Sequence, residues 1–300
     1  MSIATAVGFY TIYPLLWGVS FLPFFLLYRL SDFFYLFMLL FGYRKKVISS
    51  NLKKAYPLKD RRWRDKIRYQ FYRHLCDVFV ETIALHNKSP KKISQRVEVE
   101  NLELLKNSIN QGRDAIAFLG HYGNWEWIPS VALKLPEAKG LSVYRPLKNR
   151  YFDRYMLNLR SVFGSDNIPK KNTVRTIIKY KRDNKRFVLG LIADQSPGRN
   201  ELDYWTTFLN QRTPVITGPE KLSRISGTDL FFWKIRKVTR GRYSLKLVPY
   251  PRDPSKAPEG DITEWCVRQL EEQINEDPRF WLWSHRRWKY QHLYNSKKGN

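Results

Sequence analysis

The stretch DAIAFLGHYGNWEW, Asp114–Trp127, runs an apolar segment into a glycine, then sets a histidine and a glutamate five positions apart. The apolar part is compact and bounded by Gly120, which reads as a strand buried on both faces. Two later stretches repeat the pattern: KGLSVYRP ends at Arg145-Pro146, and RFVLGLIADQSP reaches Asp194-Gln195. Helical stretches, among them NRYFDRYMLNLRSVFG and TVRTIIKYKRDN, separate them. Strands alternating with helices predict an α/β fold, a mostly parallel sheet flanked by helices. In open sheets of this kind ligands bind beyond the carboxyl ends of the strands, where His121, Arg145, Asp194 and Gln195 converge.

On one continuous helix the steps from His121 to Glu126 turn about 500°, leaving the two side chains about 140° apart. They meet only if His121 lies in a turn before a helix, and Gly120 and Gly123 permit that turn. Glu126 is then expected in the first helical turn, where a carboxylate suits the macrodipole and holds the imidazole. This is the pairing of general-base catalysis. No serine or cysteine accompanies it, so the nucleophile comes with the substrate, for example as a hydroxyl. Helix N-terminal amides beside His121 would hold a developing oxyanion.

On a purely structural reading His121 and Glu126 would form a hydrogen bond without chemistry, Arg145 would be an ion-pair partner and Asp194 would cap a turn in front of Pro197. Arg160 and Arg175 read as solvated basic residues. The ending FWLWSHRRW reads as packing, with His285 structural.

Residues 3–28 carry no charged side chain. At about 1.5 Å per residue they are long enough to cross a hydrocarbon layer of roughly 30 Å, with kinks at Pro14 and Pro23. Arg29 and Asp32 interrupt, and Phe33–Tyr43 is too short to span, so it is expected in the interface or against the domain. No basic segment precedes the apolar run and no A-x-A site closes it, which argues against a cleaved signal peptide. Arg44, Lys45, Lys46, Lys53 and Lys54 follow, placing the next domain on the cytoplasmic side among anionic headgroups. The expected organisation is an anchor and interfacial segment over 1–46 and one α/β domain over 47–300.

Within that domain a helix is expected over Lys59–Thr82, its apolar face at Ile67, Phe71, Leu75, Val78 and Thr82 and a basic face opposite. DLFFWKIRKV and YSLKLVPY flank a turn and read as a hairpin. DITEWCVRQLEEQINEDP reads as a helix capped by Asp261 with Glu264. Cys76 and Cys266 are isolated, which excludes a disulfide framework and a cysteine zinc site.

The chain holds 53 Lys+Arg against 27 Asp+Glu, a net charge of +26. Such an excess points to an anionic partner. The basic residues are spread rather than gathered on a recognition element, which argues against nucleic acid.

HYGNWE fits an H-x4-[D/E] motif and resembles the glycerolipid acyltransferase superfamily. RKKVISSNLKKAYP, GHYGNWEW, VYRPLKN, LIADQSP, FLNQRTPVITGPEKLSR and DPRFWLWSHRRWK, in this order, narrow the resemblance to the bacterial lipid A late-acyltransferase family (lauroyl and myristoyl transferases). The resemblance implies a membrane-bound O-acyltransferase of the bacterial inner membrane, its catalytic domain facing the cytoplasm. It implies transfer from an acyl-acyl-carrier-protein to a hydroxyl of an anionic lipid A precursor, with no cofactor or metal. On the matching positions His121 is the general base and Glu126 its charge partner. Asn124 and Arg145 engage substrate, and Asp194 and Gln195 help form the pocket floor. The alternative acceptor is a lysophospholipid, glycerol phosphate or an aminolipid.

Overall fold

The computed structural model describes residues 3–296. The chain begins with helices α1 (Ile3–Ser20), α2 (Phe24–Phe41), α3 (Lys45–Ala55), α4 (Arg61–Ala84) and α5 (Pro90–Ser94). Next come β1 (Val97–Glu100), α6 (Leu102–Asn110), β2 (Ala115–Leu119), β3 (Lys139–Tyr144), α7 (Arg150–Ser161), β4 (Asp166–Pro169), α8 (Thr173–Arg182) and β5 (Phe187–Ile192). The remainder holds β6 (Tyr204–Phe208), β7 (Gln211–Val215), α9 (Gly218–Ser226), β8 (Asp229–Thr239), β9 (Arg242–Pro249), α10 (Asp261–Glu276) and α11 (Leu293–Ser296).

Seven strands form one sheet in the order β1-β9-β8-β2-β5-β3-β4. Strands β8, β2, β5, β3 and β4 are parallel. Strand β9 pairs antiparallel with β8, as the expected hairpin, and carries β1 parallel to itself. The mostly parallel sheet read from the sequence is therefore the observed one. Its three named strands, β2, β5 and β3, lie side by side, so their carboxyl ends open on the same edge. Every residue of β2 is buried, as its unbroken apolar run requires. Strand β4 and the separate β6–β7 hairpin carry weaker patterns and were not anticipated.

The N-terminal segment departs from the expectation of one span over 3–28. It breaks at Phe21–Pro23, and Pro23 in extended geometry (φ −62°, ψ 155°) starts a second helix. A proline biases the residue before it out of the helical region, so the break falls there rather than as a kink. Arg29 and Asp32 lie inside α2 instead of ending the apolar stretch. Asp32 is matched by Arg240, whose Nη1 and Nη2 donate to its carboxylate at 3.1 and 2.8 Å. Among the described residues α2 is the helix long and apolar enough to cross a membrane, by length and composition.

Helix α4 buries Ile67, Phe71 and Val78 as expected, and also Arg68, His74, Asp77 and Glu81. Arg68 is therefore not on a solvated face; its Nη1 reaches Ser49 Oγ at 3.0 Å and Asp65 Oδ1 at 2.5 Å. Helix α10 starts where expected, but its cap differs. Gly260 is the N-cap, and the buried Glu220 carboxylate accepts from Gly260 N (2.8 Å) and Thr263 N (3.0 Å). Asp261 instead accepts from Tyr250 Oη.

Candidate active site

Two glycines shape the turn after β2. A Cβ on Gly120 would come 2.6 Å from Leu270 Cδ1, so helix α10 packs directly on the backbone there. Gly123 has φ +58°, and a Cβ on it would stand 2.7 Å from Ile235 Cγ2. The C-terminal tryptophan segment clamps the same turn: Gly123 N donates to Phe280 O at 3.1 Å and Leu282 N to His121 O at 3.1 Å.

His74 of α4 supports it from beneath, with Nε2 at 3.1 Å from Gly123 O and Nδ1 at 3.4 Å from Lys237 Nζ. Burial, then the Lys237 ammonium, push His74 down to about 3, so the ring is neutral and donates from Nε2. Burial likewise lowers His285 to about 4, and its Nε2 accepts from Ser196 N at 3.1 Å.

Both histidines take up a proton more readily when unfolded. Their stabilising effect is complete above the unfolded value of about 6.5 and is lost as pH falls toward about 4 and about 3. His74 alone should forfeit about 2 kcal/mol by about pH 5. The urea midpoint should fall steadily from neutral to mildly acidic pH, and less steeply in His74→Gln. A flat midpoint over that interval would contradict the assignment.

At the centre, His121 Nδ1 lies 2.6 Å from Asp194 Oδ1, and His121 N donates to Asp194 Oδ2 at 2.9 Å. Trp281 Nε1 donates to Oδ2 as well, at 2.8 Å. Burial pushes the Asp194 carboxyl up, but the His121 charge, its two hydrogen bonds and that of Trp281 outweigh it and bring it down to about 2. A carboxylate on Nδ1 fixes the ring with its proton there, leaving Nε2 as the acceptor. Nε2 faces Gln195 Nε2 at 3.4 Å.

The hold on the imidazole, expected from Glu126, thus comes from Asp194. Glu126 instead accepts from Arg160 Nε at 2.8 Å, Arg160 Nη2 at 2.6 Å and Trp125 Nε1 at 3.2 Å. The cause is local. Asn124 takes Trp127 N through its backbone and side-chain oxygens, and Pro129 follows, so a 3-10 helix begins only at Ile128. Glu126 therefore lies in the turn before that 3-10 helix, and among the described residues the segment after His121 offers no α-helical N-terminus to supply oxyanion amides. Arg160, read as solvated, is half-buried in the bidentate pair with Glu126; Arg175 is exposed as expected.

A cavity of about 640 Å³ runs from this cluster along the sheet. Its walls are mainly apolar: Val188, Gly190 and Ile192, alternate residues of β5, line it together with Ile128 and Val131 of the 3-10 segment and Leu135 just after it. From Val188 to Ile192 the strand rises about 13 Å. His121, Trp125, Glu126, Arg160 and Gln195 line it, with the exposed Arg145 also on its wall. Asn124 and Asp194, expected to touch substrate, lie behind the wall. Asn124 is buried with Nδ2 on Glu81 Oε2 at 2.7 Å, and Asp194 is buried beneath His121. Among the described residues no group of His, Cys, Asp and Glu is placed to hold a metal ion. The site joins an imidazole held by a buried carboxylate and a half-buried cation to a space for an extended apolar chain.

The sequence matches the model of a family described as bacterial lipid A biosynthesis acyltransferase over residues 2–290. It is 24% identical over 251 residues to the lipid A biosynthesis palmitoleoyltransferase of Escherichia coli, covering 82% of this chain and 79% of the relative. A lipid A biosynthesis acyltransferase of Shigella flexneri matches with the same identity and coverage. The lipid A biosynthesis lauroyltransferase of Escherichia coli is 23% identical over 276 residues, 91% of this chain and 89% of the relative.

Proposed function

Because the chain belongs to the bacterial lipid A biosynthesis acyltransferase family, we propose that it moves a fatty acyl chain from acyl-acyl-carrier-protein to a hydroxyl of a lipid A precursor, with His121 as general base. The observation that carries this reading is the apolar cavity ending at His121, whose Nδ1 is held by a buried carboxylate.

The acyl chain occupies the cavity with its thioester carbonyl at the polar end. The acceptor hydroxyl takes the place of the Gln195 amide before His121 Nε2. As the hydroxyl oxygen attacks the carbonyl carbon, its proton passes to Nε2, and Asp194 stabilises the imidazolium. The tetrahedral intermediate collapses with cleavage of the C–S bond. Nε2 returns the proton to the departing sulfur, leaving an ester and the free carrier thiol. Arg160, fixed by two bonds to Glu126, and the Gln195 amide are the donors that face a developing oxyanion. Arg145 engages an anionic group of donor or acceptor.

Helices α1 and α2 attach the protein to the inner membrane. The run Arg44, Lys45 and Lys46 after them keeps the catalytic domain on the cytoplasmic side. The organisation is an anchor over 1–46 and a catalytic domain over 47–300.

The test is the product mass spectrum of purified protein given acyl-carrier-protein donors of graded chain length and, as acceptors, a lipid A precursor and a lysophospholipid. One added acyl ester on the glycolipid is expected. Transfer to a lysophospholipid alone would move the protein to the alternative acceptor. The same spectrum reads the cavity: a Cβ on Gly190 meets only Leu141 O, at 3.6 Å, so its side chain projects into free space. Gly190→Leu should therefore shift the product toward shorter chains, and an unchanged distribution would place the chain elsewhere.

A further inference from the structure

A second cavity lies at the membrane-proximal end of the fold and plays no part in the mechanism above. It is a cleft of about 910 Å³ between the end of α2, the start of α3 and the loop after Trp283. Five cations line it: Arg44, Lys45, Lys46, Arg286 and Lys289. All five side chains are exposed. Their partners among the described residues are neutral. Arg44 Nη1 donates to Ser284 O at 2.8 Å, and Lys289 Nζ stands 4.6 Å from the Tyr290 ring centre. No acidic residue occupies the first turn of α3. Its positive end adds to the cations instead of offsetting them.

The remaining wall is apolar. Leu39, Leu40 and Phe41 belong to the last turn of α2, and Leu40 and Phe41 are 80% and 78% exposed. A cationic cleft rimmed by bare apolar side chains matches the boundary between headgroups and acyl chains. A short chain of hydrogen-bonded neighbours links the cleft wall to the reaction centre. His285 on its wall accepts from Ser196 N, and the neighbouring Gln195 amide faces His121 Nε2.

We infer that this cleft holds a phosphate of the membrane-embedded glycolipid acceptor and so brings the acceptor hydroxyl to His121. The inference rests on the acyl-transfer reading above and adds the acceptor's binding determinant. An acidic carrier protein shares the anionic chemistry, but its soluble surface would have to lie against Leu40 and Phe41. A lipid meets both halves of the cleft at once.

The test compares full-length wild type with the triple variant Lys46→Gln/Arg286→Gln/Lys289→Gln, none of which makes a hydrogen bond to the turn of His121. A charge-preserving control, Lys46→Arg/Arg286→Lys/Lys289→Arg, separates loss of charge from loss of fold. The acceptors are a phosphorylated lipid A precursor and the same glycolipid stripped of phosphate. At about a factor of five per basic contact, wild type should prefer the phosphorylated acceptor in kcat/KM by roughly tenfold to a hundredfold. The neutralised variant should lose most of that preference, and the control should keep it.

A preference that survives neutralisation overturns the inference. So does a variant whose defect lies in the KM for the carrier-protein donor. Flotation with phosphatidylcholine vesicles carrying either glycolipid decides the cleft even where no transfer occurs. Selective, charge-dependent capture by the phosphorylated vesicles supports it, and equal capture by both overturns it. Absence of transfer with selective capture would sink the acyl-transfer reading alone.

Discussion

Asp194→Asn is expected to lower kcat by about three to four orders of magnitude while leaving KM for the donor nearly unchanged. Asp194 accepts three hydrogen bonds, from His121 N, His121 Nδ1 and Trp281 Nε1. Asparagine keeps the shape but offers one acceptor and one donor. With its oxygen retained by the backbone and the tryptophan, the new NH2 group faces Nδ1. That forces the proton onto Nε2, the nitrogen that must accept from the hydroxyl. The same exchange removes the charge that stabilises the imidazolium. Folding suffers less, by about 1–3 kcal/mol for an imperfectly matched buried polar group, so thermal melts and kinetics together separate the two effects. Near-normal turnover in Asp194→Asn would return the imidazole partner to Glu126 and undo the assignment of roles. The parallel change Glu126→Gln weakens the hold on Arg160 and should leave the His121 ring in place.

These two carboxylates mark where the sequence was legible and where it was not. Strands β2, β3 and β5 announce themselves as apolar runs closed by glycine or proline, and the parallel sheet follows from their alternation with helices. Once the strands are parallel, His121, Arg145 and Asp194-Gln195 must gather on one edge, and they do. Which carboxylate meets the imidazole is a different kind of question. Spacing along the chain favours Glu126, whereas Asp194 is 73 positions away and reaches the ring only because β2 and β5 are adjacent. That adjacency leaves no periodic signal. The proline at 129 and the capping capacity of Asn124 were the available signs that no α-helix would start at Glu126.

The buried polar stripe of α4 was hidden for a related reason. His74, Asp77 and Glu81 fall outside the apolar face that the periodicity marks, and their partners come from distant segments. Tyr243 Oη and Asn124 Nδ2 each reach Glu81 at 2.7 Å, and Lys237 Nζ reaches Asp77 at 2.9 Å. A charge in such surroundings is tolerated only when every lone pair is met, and single-chain periodicity cannot report that. The two-helix N-terminus, by contrast, was readable: Pro23 stands inside the uncharged run of residues 3–28, and the bias of the residue before a proline away from helical geometry divides the run there.

The claim that His121 removes the proton from the acceptor hydroxyl is tested most directly by acyl transfer from labelled acyl-acyl-carrier-protein to a lipid A precursor, with wild type and His121→Ala side by side. Alanine deletes the acceptor nitrogen, while Asp194 keeps Trp281 and the backbone amide as partners, so the variant should fold. Removal of a positioned general base costs about two to four orders of magnitude, and more where base and carboxylate act as a unit. Wild type should yield a new acylated glycolipid and equal amounts of folded His121→Ala at most about a hundredth of that rate. A His121→Ala protein that transfers acyl chains as fast as wild type would contradict it.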